Sequence, residues 1–271
     1  MRFVHMMCLG LAFFAVFSCN KVSSKVQLDL PTDLFIQTDS VTSDSTSKID
    51  TLGYNLQHKG LKNYTLALGS IERERKRFNG WPIRSVDSTA GESLTSEGDF
   101  IERALVNSVF HFWYGTSWDF NGYTKTPNKG TVACGYFVST TLKHIGFNVN
   151  RYKLAQQNPR NEALTIACGD TLFEFNNISS MDVVDSLSQF EPGLYFVGLS
   201  SHVGYILVRQ QTVFFIHSNY IGDGGVAIEF ARKSEAFLGG GNYILARITN
   251  NPNLIDKWVS GEEVNVVTFS D

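Results

Sequence analysis

Four polar side chains in this 271-residue chain are of the types that acyl transfer requires. Cys134 lies in the stretch TVACGYFVSTTLKHIGF, where a loop gives way to a helical pattern of apolar residues. His202, His217 and Asn219 lie further along the chain, on two segments that alternate like strands. A thiol becomes an effective nucleophile when a base lies within hydrogen-bond reach and a third polar group orients that base. These residue types make Cys134 a candidate nucleophile, provided that folding brings them together.

The pattern around Cys134 predicts the start of a helix. Val138, Leu142 and Ile145 recur at helical spacing, and Gly146 is a natural helix end. The unpaired N–H groups and the dipole at a helix start favour a thiolate over a thiol. We therefore expect the pKa of Cys134 to be lowered.

The two segments that carry the histidines predict a β-hairpin. If residues 210–211 form a tight turn, His202 lies opposite Asn219 on the neighbouring strand. His217 then lies opposite Gly204, diagonally beside His202 and on the same face. A shift of the register by one residue would separate His202 from both partners. Either His217 or Asn219 could therefore orient His202.

Other segments of the chain predict an α+β domain. A helix is expected from about residue 98, with Ile101, Leu105, Val109 and Phe112 as its buried side. Later segments alternate with a period of two, which is typical of strands in an antiparallel sheet. The predicted strands are 193–199, 202–209, 212–219, 225–230 and 242–249.

The N-terminal residues predict export to the cell envelope. Arg2 precedes an apolar run from Val4 to Phe17, which is short for a membrane span. The stretch VFSC resembles the lipobox of bacterial lipoproteins, in which cleavage falls before the cysteine and its thiol is lipidated. We expect residues 1–18 to be a signal peptide and Cys19 to anchor the chain in a membrane, on its periplasmic or surface side. An ordinary signal peptide and an uncleaved anchor are the alternatives.

The remaining chain divides by composition. Residues from Asn20 to about Asp50 are polar and rich in Ser, Thr and Asp, which predicts a flexible tether. The organisation that we expect is a tether at 19–50, an N-terminal extension at 51–97, the main domain at 98–250 and a C-terminal tail at 251–271.

Four cysteines allow a competing interpretation of Cys134. Cys8 would leave with the signal peptide and Cys19 would carry lipid, so that Cys134 and Cys168 remain. Two cysteines in an oxidising compartment could form a disulfide, which would make the domain structural.

Charge and motif spacing bear on other classes of function. The formal net charge of −3 gives no electrostatic reason to expect nucleic acid as a partner. The Cys and His residues lack the spacing of a structural zinc site, and no phosphate-binding or dinucleotide-binding loop is present in the sequence. We therefore expect no metal and no cofactor.

The region around Cys134 resembles the NlpC-type cell-wall cysteine peptidases, a papain-like group. The segment YGTSWDFNGYTKTPNKGTVACGYFV is similar to the family's helix end, Gly-rich loop and nucleophile helix. PGLYFVGLSSHVGYILV and FFIHSN are similar to the strands that carry its two histidines, and GGVAIEF and YILARI to the strands that close its sheet. The likeness covers about residues 99–249.

This resemblance implies a fold, a reaction and a set of roles. The fold would be papain-like, with N-terminal helices packed on an antiparallel sheet. Cys134 would be the nucleophile, His202 the general base and acid, and His217 the residue that orients His202. The substrate would be a peptide or amide bond in peptidoglycan.

The chain departs from the family at its substrate-binding positions. Ala133 stands where the family has Asp, and Gly135 where it has Ser; those two residues help to hold a free amine in related enzymes. Trp118 replaces a Tyr, so an indole N–H takes the place of a phenol O–H near the oxyanion. With Asn219, these positions are the candidate substrate-binding residues. A lipoprotein that binds cell-wall fragments without cleaving them is the alternative function.

Overall fold

The computed structural model describes residues 61–80 and 96–268. The predicted signal peptide at 1–18, the lipidation site Cys19 and the tether at 19–50 lie outside the described residues. None of the helices in the described part is long and apolar enough to cross a lipid bilayer.

Helices and strands alternate irregularly along the described chain. The helices are α1 (Leu61–Asn79), α2 (Ser96–Glu102), a π-helical segment (Arg103–Val109), α3 (Phe110–Trp113), α4 (Cys134–His144), α5 (Arg151–Ala155), α6 (Pro159–Ala167), α7 (Ser180–Leu187), α8 (Glu235–Leu238) and α9 (Pro252–Ser260). The strands are β1 (Asn148–Val149), β2 (Leu172–Phe175), β3 (Gly193–Gly198), β4 (Val203–Arg209), β5 (Thr212–Ser218), β6 (Val226–Phe230), β7 (Tyr243–Arg247) and β8 (Glu263–Val264).

Six of the strands form one antiparallel sheet in the order β2-β7-β3-β4-β5-β6. The short strands β1 and β8 pair separately and in parallel. The prediction of an α+β fold with an antiparallel sheet is confirmed. The five predicted strands correspond to β3 through β7 and differ from them by one or two residues at their ends.

The hairpin of β4 and β5 has the register that the sequence predicts. Arg209 pairs with Thr212 and Tyr205 pairs with Ile216 across the two strands. The turn residues Gln210 and Gln211 both have positive φ, at 49° and 61°, as a two-residue turn that follows the strand twist requires. This register is what places both histidines on one face of the sheet.

The first predicted helix is present but is not regular. The four predicted core residues, Ile101, Leu105, Val109 and Phe112, are all buried. However, residues Arg103–Val109 are π-helical, so one extra residue is accommodated in the middle of the pattern.

Helix α4 follows its prediction closely. It begins at Cys134 and ends near Gly146, which has φ of +105°. Val138 and Ile145 are fully buried. The helix is fixed to β4 by Tyr205, whose hydroxyl donates to the Val138 carbonyl at 3.0 Å. The nucleophile candidate therefore stands at the start of a helix that is tied to the histidine hairpin.

Two elements outside the predicted core also contact it. In α1, the hydroxyl of Tyr64 accepts a hydrogen bond from the indole of Trp113 at 2.8 Å. In the tail that the sequence left unassigned, α9 buries Trp258 completely, and its indole donates to the Ile145 carbonyl at 2.8 Å. Both ends of the described chain thus pack against the helices that carry the site.

Candidate functional site

Two backbone hydrogen bonds fix the approach of the chain to Cys134. Val132 N–H donates to the Ser117 carbonyl at 3.0 Å, and Ala133 N–H donates to the Gly122 carbonyl at 2.8 Å. Ala133 is extended, so the backbone turns into the helix at Cys134. The predicted helix start is confirmed, and the first backbone N–H groups of α4 surround the thiol.

The thiol of Cys134 lies against the start of β4. The backbone N–H of Val203, the residue that follows His202, lowers the pKa of this thiol. Both Cys134 and Cys168 are free thiols, and the Cys168 sulfur is 3.3 Å from the Thr165 carbonyl. In this structure the two cysteines do not form the disulfide that the sequence allows.

The expected lowering of the pKa of Cys134 was wrong. Burial raises the pKa of this thiol, and the nearby carboxyl of Glu162 adds to the rise. The N–H groups of Val203, Gly135 and Cys134 itself act in the opposite direction but do not outweigh burial. The dipoles at a helix start favour a thiolate, but burial removes the water that would also stabilise its negative charge. The resting form is therefore a neutral thiol.

A chain of hydrogen bonds leads from His202 across the sheet. His202 Nε2 is 2.8 Å from His217 Nδ1, and His217 Nε2 is 2.9 Å from a carboxylate oxygen of Glu229. Ser234 donates to the same oxygen of Glu229 at 2.5 Å. His202 and His217 are buried, at 3% and 0% exposure. These four residues form the relay from His202 to Ser234, and His217, not Asn219, is the group that contacts His202.

Ionisation fixes the direction of each bond in the relay. Burial raises the pKa of Glu229, but hydrogen bonds from His217 and Ser234 more than offset this, so its pKa lies below the usual value. Burial lowers the pKa of His217, and burial together with His217 lowers that of His202 well below 6.5. Both imidazoles are therefore neutral beside a charged carboxylate at neutral pH.

This ionisation determines the two tautomers. The carboxylate of Glu229 only accepts, so His217 donates through Nε2–H and is left with an accepting Nδ1. His202 then donates to it through Nε2–H, which leaves Nδ1 of His202 unprotonated. The relay thus supplies a neutral base whose free nitrogen can take a proton.

Aromatic rings hold the relay in place. Phe215 stacks on His217 with ring centres 4.0 Å apart, and its edge contacts His202 at 5.9 Å. Tyr220 covers His202 with ring centres at 4.9 Å and also contacts Trp118 at 6.2 Å. The rings restrict the imidazoles to orientations that keep the hydrogen bonds.

Sequence reasoning missed Glu229. The segment GVAIEF predicts a strand in which Glu229 is the only charged residue. In the structure Ala227 pairs with His217, and Glu229 pairs with Phe215, so Glu229 is diagonal to His217. The feature of the sequence that could have indicated this contact is a single carboxylate, Glu229, on an otherwise apolar strand. It lies two residues from Ala227, the partner of His217.

The four substrate-binding candidates have different surroundings. Gly135 is tightly enclosed, because a β-carbon at this position would lie 2.8 Å from the Ala155 carbonyl oxygen of α5. Asn219 accepts a hydrogen bond from the Ile221 N–H at 2.9 Å, so its side chain stabilises the turn after β5. Ala133 directly precedes the first residue of α4. The backbone N–H of Trp118 donates to the Gly224 carbonyl at 3.3 Å.

A buried carboxyl close to Cys134 was also missed. Glu162 of α6 is 2% exposed, and its Oε2 makes no hydrogen bond within the described residues. Its other oxygen would lie 3.1 Å from a β-carbon at position 135. Burial raises the pKa of Glu162 well above 4.5, so the group resists ionisation. While it is protonated, Glu162 places no charge beside the thiol, and it raises the pKa of Cys134 only when it is itself ionised.

The raised pKa of Glu162 predicts how stability depends on pH. The folded protein keeps a proton on Glu162 that the unfolded chain releases above about pH 4.5, so the free energy of unfolding falls as the pH rises. Glu162→Gln removes this titration. The melting temperatures of the two proteins are expected to converge near pH 4, and the variant should gain on the wild type towards pH 8. Glu235→Gln, which changes an exposed carboxyl, is the matched control; parallel curves for all three proteins would contradict the assignment.

The site as described contains a thiol, a neutral imidazole relay and the backbone donors of a helix start. These are the parts that acyl transfer through a covalent thioester uses. Within the described residues, no group of three or more His, Cys, Asp or Glu side chains is arranged to hold a metal ion. No protein-family model matches the chain, and no curated protein or solved structure is significantly similar to it.

Proposed function

We propose that the chain is a cysteine hydrolase with a papain-like domain of the NlpC type, which cleaves a peptide or amide bond in peptidoglycan. The observation that carries this proposal is the buried, hydrogen-bonded relay of His202, His217 and Glu229. His202 directly precedes Val203, whose backbone N–H lowers the pKa of the Cys134 thiol. Burying two neutral imidazoles and a carboxylate costs free energy unless each one finds a hydrogen-bond partner. Apolar side chains would fill a purely structural core without this cost.

The proposed reaction starts from the neutral pair. Nδ1 of His202 accepts the proton of Cys134 as the sulfur attacks the carbonyl carbon of the amide. The tetrahedral intermediate collapses, its C–N bond breaks, and the protonated His202 gives its proton to the leaving amine. Water then attacks the thioester and gives a proton to His202, which returns it to the departing sulfur. The products are one carboxylic acid and one amine.

Negative charge on the substrate oxygen needs donors in a fixed position. The backbone N–H of Cys134 belongs to the first turn of α4, where N–H groups have no partner inside the helix. Trp118, at the place of the family's tyrosine, would offer its indole N–H as a second donor. Two such donors act without reorganisation when charge develops, which is why they lower the barrier.

The assignment to peptidoglycan rests on the resemblance of the sequence and on the predicted export signal. A lipid at Cys19 would hold the domain at the surface of a membrane, within reach of the cell wall, and the polar segment 19–50 would act as its tether. The proposed location is therefore the cell envelope. Inhibition of lipoprotein signal processing by globomycin would cause the unprocessed precursor to accumulate if this assignment is right.

A second function, binding of cell-wall fragments without cleavage, has one observation in its favour. Burial raises the pKa of Cys134, which slows any reaction that begins from a free thiolate. A binder would keep the fold but would have no need for a relay that prepares His202 as a base.

Digestion of purified peptidoglycan by the full-length protein separates the two functions. A hydrolase is expected to release fragments whose masses show one water added for each bond cleaved, and the fragments would identify the bond. Sedimentation of the protein with intact peptidoglycan, with no fragments released at any pH between 5 and 9, would instead support the binder.

A further inference from the structure

The charged side chain of Arg151 takes no part in the relay. Arg151 is the first residue of α5 and is only 6% exposed. Its Nη2 donates to the Tyr123 carbonyl at 2.6 Å. This contact holds the guanidinium beneath the loop that leads to the nucleophile.

Two tyrosine rings flank the guanidinium. Its central carbon lies 5.2 Å from the ring centre of Tyr136 and 4.6 Å from that of Tyr152. The rings of Tyr136 and Tyr152 also contact each other, with centres 5.9 Å apart. Cation–π contacts of this kind hold the plane of the guanidinium in one orientation but do not neutralise its charge.

Arg151 has no anionic partner among the described residues. No carboxylate of residues 61–80 or 96–268 forms an ion pair with it, and its buried Nε has no hydrogen-bond partner there. A buried charge is costly unless it is paired and its hydrogen bonds are satisfied. The surroundings of Arg151 therefore lack one negative group.

The position of Arg151 relates it to the bond that would be cleaved. The carbonyl that it binds belongs to Tyr123, the neighbour of Gly122, whose own carbonyl accepts the Ala133 N–H. Tyr136, which flanks it, is in the first turn of α4, two residues after Cys134. Ala155, one helical turn further along α5, lies against Gly135, the residue that follows Cys134. Arg151 and the thiol therefore belong to adjoining parts of the contact between α4 and α5.

We propose that Arg151 binds a carboxylate of the substrate, so that the enzyme selects peptides with a free carboxylate close to the bond that is cleaved. The planar fork of a guanidinium matches the two oxygens of a carboxylate, and its orientation is already fixed by Tyr136 and Tyr152. The hydroxyl-bearing rings of Tyr123 and Tyr152 are 63% and 50% exposed and border the site on its solvent side. The proposal deepens the proposed function and rests on it for the identity of the substrate.

A pair of peptides that differ in one group tests this without turnover. The probes are L-alanyl-γ-D-glutamyl-L-lysine, which has a free α-carboxylate on its glutamate, and the same peptide with a carboxamide in that place. Calorimetric titration of full-length Cys134→Ala protein is expected to give at least about tenfold tighter binding of the carboxylate form, because hydrogen bonds to a charged group are strong. Arg151→Gln in the same background is expected to bind both peptides within about threefold of each other.

Two further variants keep the result interpretable. Arg151→Lys retains a charge without the fork and is expected to keep part of the discrimination. Arg160→Gln removes an exposed arginine of the neighbouring helix and should keep all of it. Melting curves identify any variant that fails to fold. The comparison of the two peptides in the Cys134→Ala protein, which retains Arg151, does not depend on a substitution at position 151.

The outcomes separate this proposal from the proposed function. Equal affinity for both peptides, binding of neither, or discrimination that persists in Arg151→Gln would overturn the carboxylate site, even if the wild type digests peptidoglycan. If the preference for the carboxylate peptide depends on Arg151 but the wild type releases no peptidoglycan fragments, the carboxylate site would be supported and the proposed hydrolase activity would be refuted.

Discussion

Full-length protein in which Cys134 is replaced by alanine is expected to release no peptidoglycan fragments above background. In the proposed mechanism the sulfur forms the only covalent bond to the substrate, so no other group can replace it. Removal of a catalytic nucleophile typically lowers kcat by a factor on the order of 10⁴ or more. The measurement is the initial rate of fragment release, followed by chromatography and mass spectrometry.

Cys168→Ala is the matched control for this variant. Cys168 is also a free, partly buried thiol, but it ends α6 and bonds to the Thr165 carbonyl instead of lying beside β4. Its replacement is expected to leave the rate within about twofold. Fragment release that survives in Cys134→Ala, or that is lost equally in both variants, would contradict the role of Cys134.

Replacement of His202 by alanine is expected to have the second largest effect. General acid–base catalysis by a positioned side chain contributes on the order of 10²- to 10⁴-fold, and His202 would serve in both directions of proton transfer. Glu229→Gln keeps His202 but gives His217 a partner that can donate or accept, so the tautomers are no longer fixed. We expect a smaller loss for Glu229→Gln, on the order of 10²-fold, and none for His111→Ala on α3.

The same relay predicts the acid side of the pH profile. His202 acts as a base only while it is neutral, and its pKa is lowered well below 6.5 by burial and by His217. In the proposed mechanism, protonation of His202 would stop catalysis only at a pH below the usual range of histidine, so we expect kcat/KM to be near its maximum still at pH 6.5. A fall in kcat/KM with a midpoint at or above 6.5 would contradict the buried, neutral relay.

The elements around the site were predictable where local patterns agree with the fold. The alternation in the segments that became β4 and β5, with two residues between them that adopt a tight turn, fixed the hairpin register from sequence alone. Once the register is known, the approach of His202 to His217 follows from the geometry of a sheet. The start of α4 at Cys134 was predicted for a similar reason, because apolar spacing and Gly146 define the helix within one short stretch.

Other features depend on contacts between distant segments. The π-helical turn at Arg103–Val109 leaves the same apolar residues buried, so the periodicity does not reveal it. The pKa of Cys134 was predicted in the wrong direction because the helix start is visible in the sequence, whereas burial and the approach of Glu162 are not. Glu229 reaches His217 only through the pairing of β5 with β6, whose register no short turn defines.

The glycine at position 135, directly after Cys134, has a physical explanation in the packing of α5. Any side chain at Gly135 would place its β-carbon 2.8 Å from the Ala155 carbonyl oxygen, so the close approach of α5 excludes a serine here unless the backbone moves. The same helix brings Arg151 to the loop before Cys134.

The central claim is that His202 activates the thiol of Cys134, and the rate of alkylation of Cys134 by iodoacetamide tests it without a substrate. The rate constant would be measured against pH in full-length Cys168→Ala protein, with His202 present and with His202→Ala. We expect the protein with His202 to react at least about tenfold faster at pH 7, because the neutral imidazole can accept the thiol proton as the sulfur attacks the reagent. The two curves should meet at alkaline pH, where the thiolate forms by itself. Identical curves at every pH, or a Cys134 that is never alkylated, would contradict the account.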